Sequence, residues 1–85
     1  MNVLENISWK LLGDRVVAVD TNNGDYYTFN EVASTIWVAL NENKTIDEIV
    51  SQILDEYDIT DPDAVRSDIE AQIAQWKEMQ LIQPL

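Results

Sequence analysis

The hydrophobic period of this chain changes at Asn30, and that change constrains the fold more than any other feature. Before it, apolar residues alternate; after it, they return every three or four positions. Alternation suits strands with one buried face, and a period near 3.6 suits helices with one buried stripe. Both halves must share one core, because the chain has 85 residues. A domain of that size buries only about 60 to 65% of the surface its unfolded chain exposes. One α+β domain spanning residues 1–85 is expected, with no linker, repeat or low-complexity segment.

Three extended segments, Ile7–Leu12, Arg15–Asp20 and Asp25–Phe29, are rich in β-branched and aromatic residues. Gly13-Asp14 is a two-residue link with glycine first, which suits a II′ turn, and Asn22-Asn23-Gly24 offers positive φ angles for a second hairpin. The three therefore read as an antiparallel meander. Alternation sets Val17 and Val19 against Val16 and Ala18, and Tyr27 and Phe29 against Tyr26 and Thr28.

Asn30 is placed to cap a first helix whose stripe is Val32, Ala33, Ile36, Trp37 and Leu40. Thr45-Ile46-Asp47-Glu48 matches a capping box and opens a second helix, with Ile46, Ile49, Val50, Ile53, Leu54 and Tyr57 on one side. Asp61-Pro62 starts the third, the acid as cap and the proline at the first helical position. Its buried side is Val65, Ile69, Ile73 and Trp76, and it is expected to run to about Gln80, with Pro84 beyond it. The order is βββααα.

Composition removes most chemistries. There is no cysteine and no histidine, so disulfides, thiolate metal sites and imidazole bases are absent. Sixteen acids face five bases, for a formal charge of -11. Lys10, Arg15, Lys44, Arg66 and Lys77 are scattered singly, and phosphate backbones require clustered bases. A peptidic, neutral or basic partner fits better, with the acids otherwise serving as a solvated face. No apolar run approaches the roughly 18 residues of a membrane span. Met1 to Asn6 holds an acid and no positive cluster, so a soluble, unexported, cytoplasmic chain is expected.

Asp20-Thr21-Asn22-Asn23-Gly24 with Glu31 is a poor calcium loop, its glycine at loop position five rather than six. Asp55, Glu56, Asp58, Asp61 and Asp63 surround a helix end and the next helix start, where carboxylates cap amides and meet water. Ser8, Ser34, Ser51 and Ser67 lack any activating partner or nucleophile motif. Trp9, Trp37 and Trp76 occupy strand or periodic positions and read as core, with Trp76 placed to border a groove. The chain reads as a non-enzyme that needs no cofactor or metal.

Topology says more than these side chains. A meander leaves its first and third strands with free edges, and Tyr26-Tyr27-Thr28-Phe29 has strong β-propensity and no lysine, proline or charge to block it. If the last helix packs alongside, an extended peptide can add there as a fourth strand. Coverage of that edge by the chain's own termini or by a dimer mate is the alternative.

Gly24-Asp25-Tyr26-Tyr27-Thr28-Phe29-Asn30-Glu31-Val32-Ala33-Ser34-Thr35-Ile36-Trp37, then Thr45-Ile46-Asp47-Glu48-Ile49-Val50, Glu56-Tyr57-Asp58 and the closing Met79-Gln80-Leu81-Ile82 resemble the PqqD-like family over roughly residues 7 to 82. These are the precursor-peptide recognition elements of ribosomally synthesised, modified peptide pathways. Phe29 stands where the family usually has leucine.

The resemblance implies a winged-helix-like fold in which the leader of a precursor peptide adds antiparallel to the third strand, against the third helix. It assigns the strand wall to Tyr26, Tyr27, Thr28 and Phe29. The helix wall it assigns to Val65, Asp68, Ile69, Gln72, Ile73 and Trp76. Apolar members would receive leader anchors, Asp68 would meet a basic residue, and Gln72 would bond the leader backbone.

The expected partners are a precursor leader and a processing enzyme, most closely the leader protease of a lasso-peptide pathway. The Gly-x-Tyr-Tyr strand resembles the lasso type. The alternatives are a peptide chaperone for a radical SAM enzyme in quinone-cofactor synthesis and a structural module that dimerises weakly through its free edge. A winged-helix nucleic-acid binder is disfavoured, since residues 62–80 set Arg66 and Lys77 against Asp63, Asp68, Glu70 and Glu78, a net -2.

Overall fold

A computed structural model describes residues 3–83. Pro84 and the first two residues of the N-terminal segment lie outside them. Three strands, β1 (Ile7–Leu12), β2 (Arg15–Asp20) and β3 (Tyr26–Thr28), precede three helices, α1 (Glu31–Asn41), α2 (Ile46–Glu56) and α3 (Pro62–Glu78). The sheet is antiparallel in the order β1-β2-β3, so the fold is α+β and βββααα as the periodicity implies. No helix among the described residues is long and apolar enough to cross a membrane.

Leu12 pairs with Arg15 across the first turn. Gly13 alone takes a positive φ there, +66°, as a II′ turn requires. The second turn departs from expectation, because Asn22 and Asn23 keep negative φ and only Gly24 is left-handed, at +80°. Side-chain chemistry replaces the extra positive angles. Asn22 N–H donates to Asp20 Oδ1 (2.9 Å) and Asp25 N–H donates to Asn23 Oδ1 (2.9 Å), two Asx turns that bend the backbone without strain.

Local capping chemistry fixes the helix starts. Ala33 N–H donates to Asn30 Oδ1 (2.8 Å). The Thr45–Glu48 box closes in both directions, with Thr45 N–H donating to Glu48 Oε1 (2.9 Å) and Glu48 N–H to Thr45 Oγ1 (3.2 Å). Asp61 accepts from Asp63 and Ala64 N–H. The third helix stops at Glu78, two residues short of the expected Gln80. Gln80 turns left-handed (φ +59°), its N–H donates to Lys77 O (3.1 Å), and Leu81 N–H donates to Trp76 O (3.0 Å). This Schellman closure folds Leu81 and Ile82 back into the core. There Val3 and Ile82 form an isolated antiparallel bridge, tying the two ends of the described chain together.

The helical stripes and the inner sheet face share one core. At its centre Trp37 meets Phe29, Trp76 and Trp9 with ring centroids 5.2, 5.0 and 6.0 Å away, all edge-on. Such aromatic pairs contribute about 0.5 to 1.5 kcal/mol each beyond area burial. That offsets the cost of Trp37 Nε1, which is buried without a hydrogen-bond acceptor. Val32, expected in the α1 stripe, is instead 39% exposed, at the stripe's margin beside the likewise exposed Ile59. Ser34 takes a fully buried place the stripe did not assign.

Candidate functional site

The edge of β3 is open: its only ladder partner is β2, and no other described backbone pairs with it. Hydrogen-bonding direction along an antiparallel strand alternates residue by residue, so two bonds fix the rest. Phe29 N–H donates to Val16 O (2.9 Å) and Asp20 N–H donates to Asp25 O (2.8 Å). Asp25, Tyr27 and Phe29 therefore address β2. Tyr26 and Thr28 turn their N–H and C=O groups outward, toward the free edge.

The ladder ends in an unusual way. Val16 N–H, whose ordinary partner would be Phe29 O, donates instead to Ser34 Oγ (2.8 Å), and that hydroxyl donates to Phe29 O (3.4 Å). A serine of α1 is thus spliced into the sheet at the point where β3 hands over to the helix. This is why β3 is only Tyr26–Thr28 rather than Asp25–Phe29: Asp25 closes the turn, and Phe29 peels away across the inserted hydroxyl.

Beside the open edge runs a groove of about 410 Å3, walled by β3 and the start of α1 on one side and by α3 on the other. Tyr26, Tyr27, Thr28 and Phe29 all line it, with Asn30 and Ala33, and Gln72, Gln75, Trp76 and Met79 form the helical wall. Tyr26 is 70% exposed, whereas Phe29 and Trp76 are buried. Gln72 Nε2 donates to Gln75 Oε1 (3.3 Å), which lays the two amides along the wall. Among the described residues no charged side chain lines the groove. A neutral, amide-rich trough beside unpaired strand groups suits an extended peptide backbone carrying apolar side chains.

Of the helix positions expected from resemblance, the structure brings Gln72 and Trp76 to this groove. Val65, Asp68 and Ile69 lie toward the N-terminal end of α3 and line a separate depression of about 170 Å3, with Val32, Ile36, Ile53 and Ile59. Ile73 is buried and lines neither. Gln75 and Met79 were missed, although their spacing from Gln72 and Trp76 signals a shared face. Asn30 and Ala33 were assigned to capping and core, and they do both jobs while bordering the groove.

Two carboxyls are held below their ordinary range. Asp20, at the turn leading into β3, is lowered first by the hydrogen bond from the Asn6 side chain and then by Asn22 N–H. Glu48 is lowered by the Thr45 backbone and hydroxyl. Both are structural: they secure the turn and the α2 start, and neither lines the groove. Among the described residues no group of acids is arranged to hold a metal ion.

Among solved structures, TbiB1 in complex with the TbiA(beta) leader peptide is similar to this chain. It is 27% identical with a TM-score of 0.88, the match covering 100% of this chain and 98% of that one. A lasso peptide synthetase B1 complexed with the leader peptide superposes with a TM-score of 0.89 at 22% identity, over 98% of this chain and 96% of its own. No curated protein gives a significant match. The family described as Coenzyme PQQ synthesis protein D (PqqD) matches residues 15–82, a span that takes in β2, β3 and all three helices and so both walls of the groove. The chain belongs to the PqqD family.

Proposed function

We propose that this chain is a non-catalytic adaptor. It binds the leader segment of a ribosomally synthesised precursor peptide as a fourth strand on β3, against α3, and presents the precursor to a processing enzyme, the leader protease of a lasso-peptide pathway. The observation that carries this reading is the outward-facing backbone of Tyr26 and Thr28 beside a neutral groove. Support also comes from the TbiB1 complex, a relative of nearly identical length that holds a leader peptide.

In this reading Tyr26, Tyr27, Thr28 and Phe29 supply the strand wall, Gln72 bonds the leader backbone, and Trp76 backs an apolar anchor. Val65, Asp68 and Ile69 continue the same stripe of α3 and take a second anchor, with Asp68 meeting a basic leader residue. Ile73 supports the wall from within the core. A leader that orders on binding loses conformational entropy, so a few buried anchors, rather than many equal contacts, set the affinity.

Thr28→Pro tests the strand-addition mode. Thr28 N–H faces the free edge, so proline there removes a donor to the visitor while leaving the β2 ladder intact, and edge positions tolerate proline. The lost hydrogen bond is worth about 0.5 to 1.5 kcal/mol, or a roughly 2- to 12-fold weaker Kd. The assay is fluorescence polarisation with a labelled synthetic leader peptide of the cognate precursor. Unchanged affinity in a folded Thr28→Pro variant refutes the mode. Tighter binding of a leader taken from a quinone-cofactor precursor would instead favour the radical-enzyme chaperone, a reading that the family's description supports.

A further inference from the structure

The β1–β2 hairpin ends in two leucines that the core does not cover: Leu11 is 48% exposed and Leu12 52%. They sit on the opposite side of the sheet order from β3. Below Leu11 the sheet and helices leave a second hollow, of about 280 Å3, whose apolar floor includes Val38 and Tyr57 and whose rim carries Asp14, Glu31 and Glu56. The Tyr57 hydroxyl is held 3.1 Å from Thr35 Oγ1, which fixes that wall. None of the three rim carboxylates forms an ion pair among the described residues, although Glu56 Oε1 accepts from Gln52 Nε2 (3.0 Å).

The hairpin's own bases do not neutralise this rim. Leu11 pairs with Val16, whose side chain is buried against the helices, whereas Lys10 pairs with Val17 and Leu12 with Arg15. Lys10 and Arg15 are one residue out of step with the Leu11–Val16 pair and so project from the other face. An uncovered leucine beside a hollow with three carboxylates that have no cation partner among the described residues is complementary to an apolar side chain flanked by lysine or arginine. A second copy is a poor occupant, because each chain carries a formal charge of -11.

We propose that this hollow, with Leu11 at its margin, is the docking surface for a basic, apolar segment of the enzyme that receives the precursor, occupied together with the leader groove. The proposal rests on the adaptor reading above. The first turn of α1 is the partition between the two sites, with Asn30 and Ala33 lining the groove and Glu31 and Ser34 lining the hollow. An enzyme seated here lies one helix width from the bound peptide without competing for β3.

The test uses the full chain, the leader of its cognate precursor and the purified leader protease of the same pathway, in two separate titrations. Leu11→Ser is expected to weaken protease binding at least tenfold, whereas Leu12→Ser, on the opposite sheet face with Arg15, should leave it within twofold. Glu31→Gln with Glu56→Gln should weaken it several-fold and flatten its salt dependence. All of these variants should leave leader affinity within twofold and the urea midpoint close to the parent's. Protease binding that is absent, or that ignores both Leu11→Ser and the paired glutamate changes, overturns the proposal. So does sedimentation showing a leucine-dependent homodimer, which would assign the surface to a second copy. A leader that fails to bind the parent chain sinks the adaptor reading instead, and the separate titrations tell the two failures apart.

Discussion

Ser34 holds together three elements that build the groove, and removing its hydroxyl is the sharpest perturbation the fold offers. The Oγ accepts from Val16 N–H at 2.8 Å and donates to Phe29 O at 3.4 Å, in a site where Ser34 is 1% exposed and Val16 fully buried. Ser34→Ala leaves Val16 N–H facing a methyl group. Neither water nor Phe29 O can take it without a shift of the strand end, so the variant bears the cost of a buried unsatisfied donor, about 1 to 3 kcal/mol. For a domain of this size each kcal/mol lowers Tm by about 4 to 8 °C, so a fall of about 4 to 24 °C is expected. Urea unfolding followed by tryptophan fluorescence reads the change, since Trp37 and Trp76 are both buried. Thr35→Ala is the matched control. That hydroxyl is a partly exposed neighbour bonded to Glu31 O and Tyr57, and its loss should cost less than half as much. Equal effects at the two positions, or a Ser34→Ala variant within about 0.3 kcal/mol of the parent, would refute the splice as a structural element. Leader affinity should fall further than global stability alone accounts for, because the splice anchors Phe29, the residue that directly follows β3.

Gly24→Ala meets no atom within 4 Å, so its cost is purely conformational, from a φ of +80°. A loss of about 1 kcal/mol in urea unfolding is expected, and a neutral result would show that the turn relaxes. Acid should destabilise the fold through Asp20 and Glu48, both lowered in the folded state. A depressed folded pKa gives stability that is fully present above the unfolded value, near 4, and is lost as pH falls through the folded one. Thermal melts from about pH 6 down to about pH 2 should therefore show a shallower acid-side loss for Asp20→Asn with Glu48→Gln than for the parent, and parallel curves would refute the linkage.

The helix boundaries were legible because caps are local chemistry: Asn30, Thr45 with Glu48, and Asp61-Pro62 each announce a helix within four residues. The open edge was legible for a similar reason, since a meander must leave its third strand unpaired on one side. What the sequence hid depends on distance. Ser34 reads as one polar residue inside a helix, and its role emerges only when Val16, 18 residues earlier, is brought against it. The same holds on α3. Val65 and Ile69 share the periodic stripe of Trp76, but β3 runs alongside only the C-terminal half of the helix, so Gln75 and Met79 rather than Val65 reach the strand. Leu11 shares the inner sheet face with the fully buried Val16 yet is 48% exposed, a difference that the strand pattern does not mark.

The three-residue length of β3 limits what strand addition can do. Two residues offer four backbone groups, and at about 1 kcal/mol each they supply roughly 4 kcal/mol, the equivalent of a millimolar Kd. In the proposed mode, main-chain zippering would thus be an aligning device and a weak glue. Guests could vary freely in the stretch that crosses Tyr26 to Thr28, while selection between cognate and foreign guests would fall on the flanking side chains that reach α3.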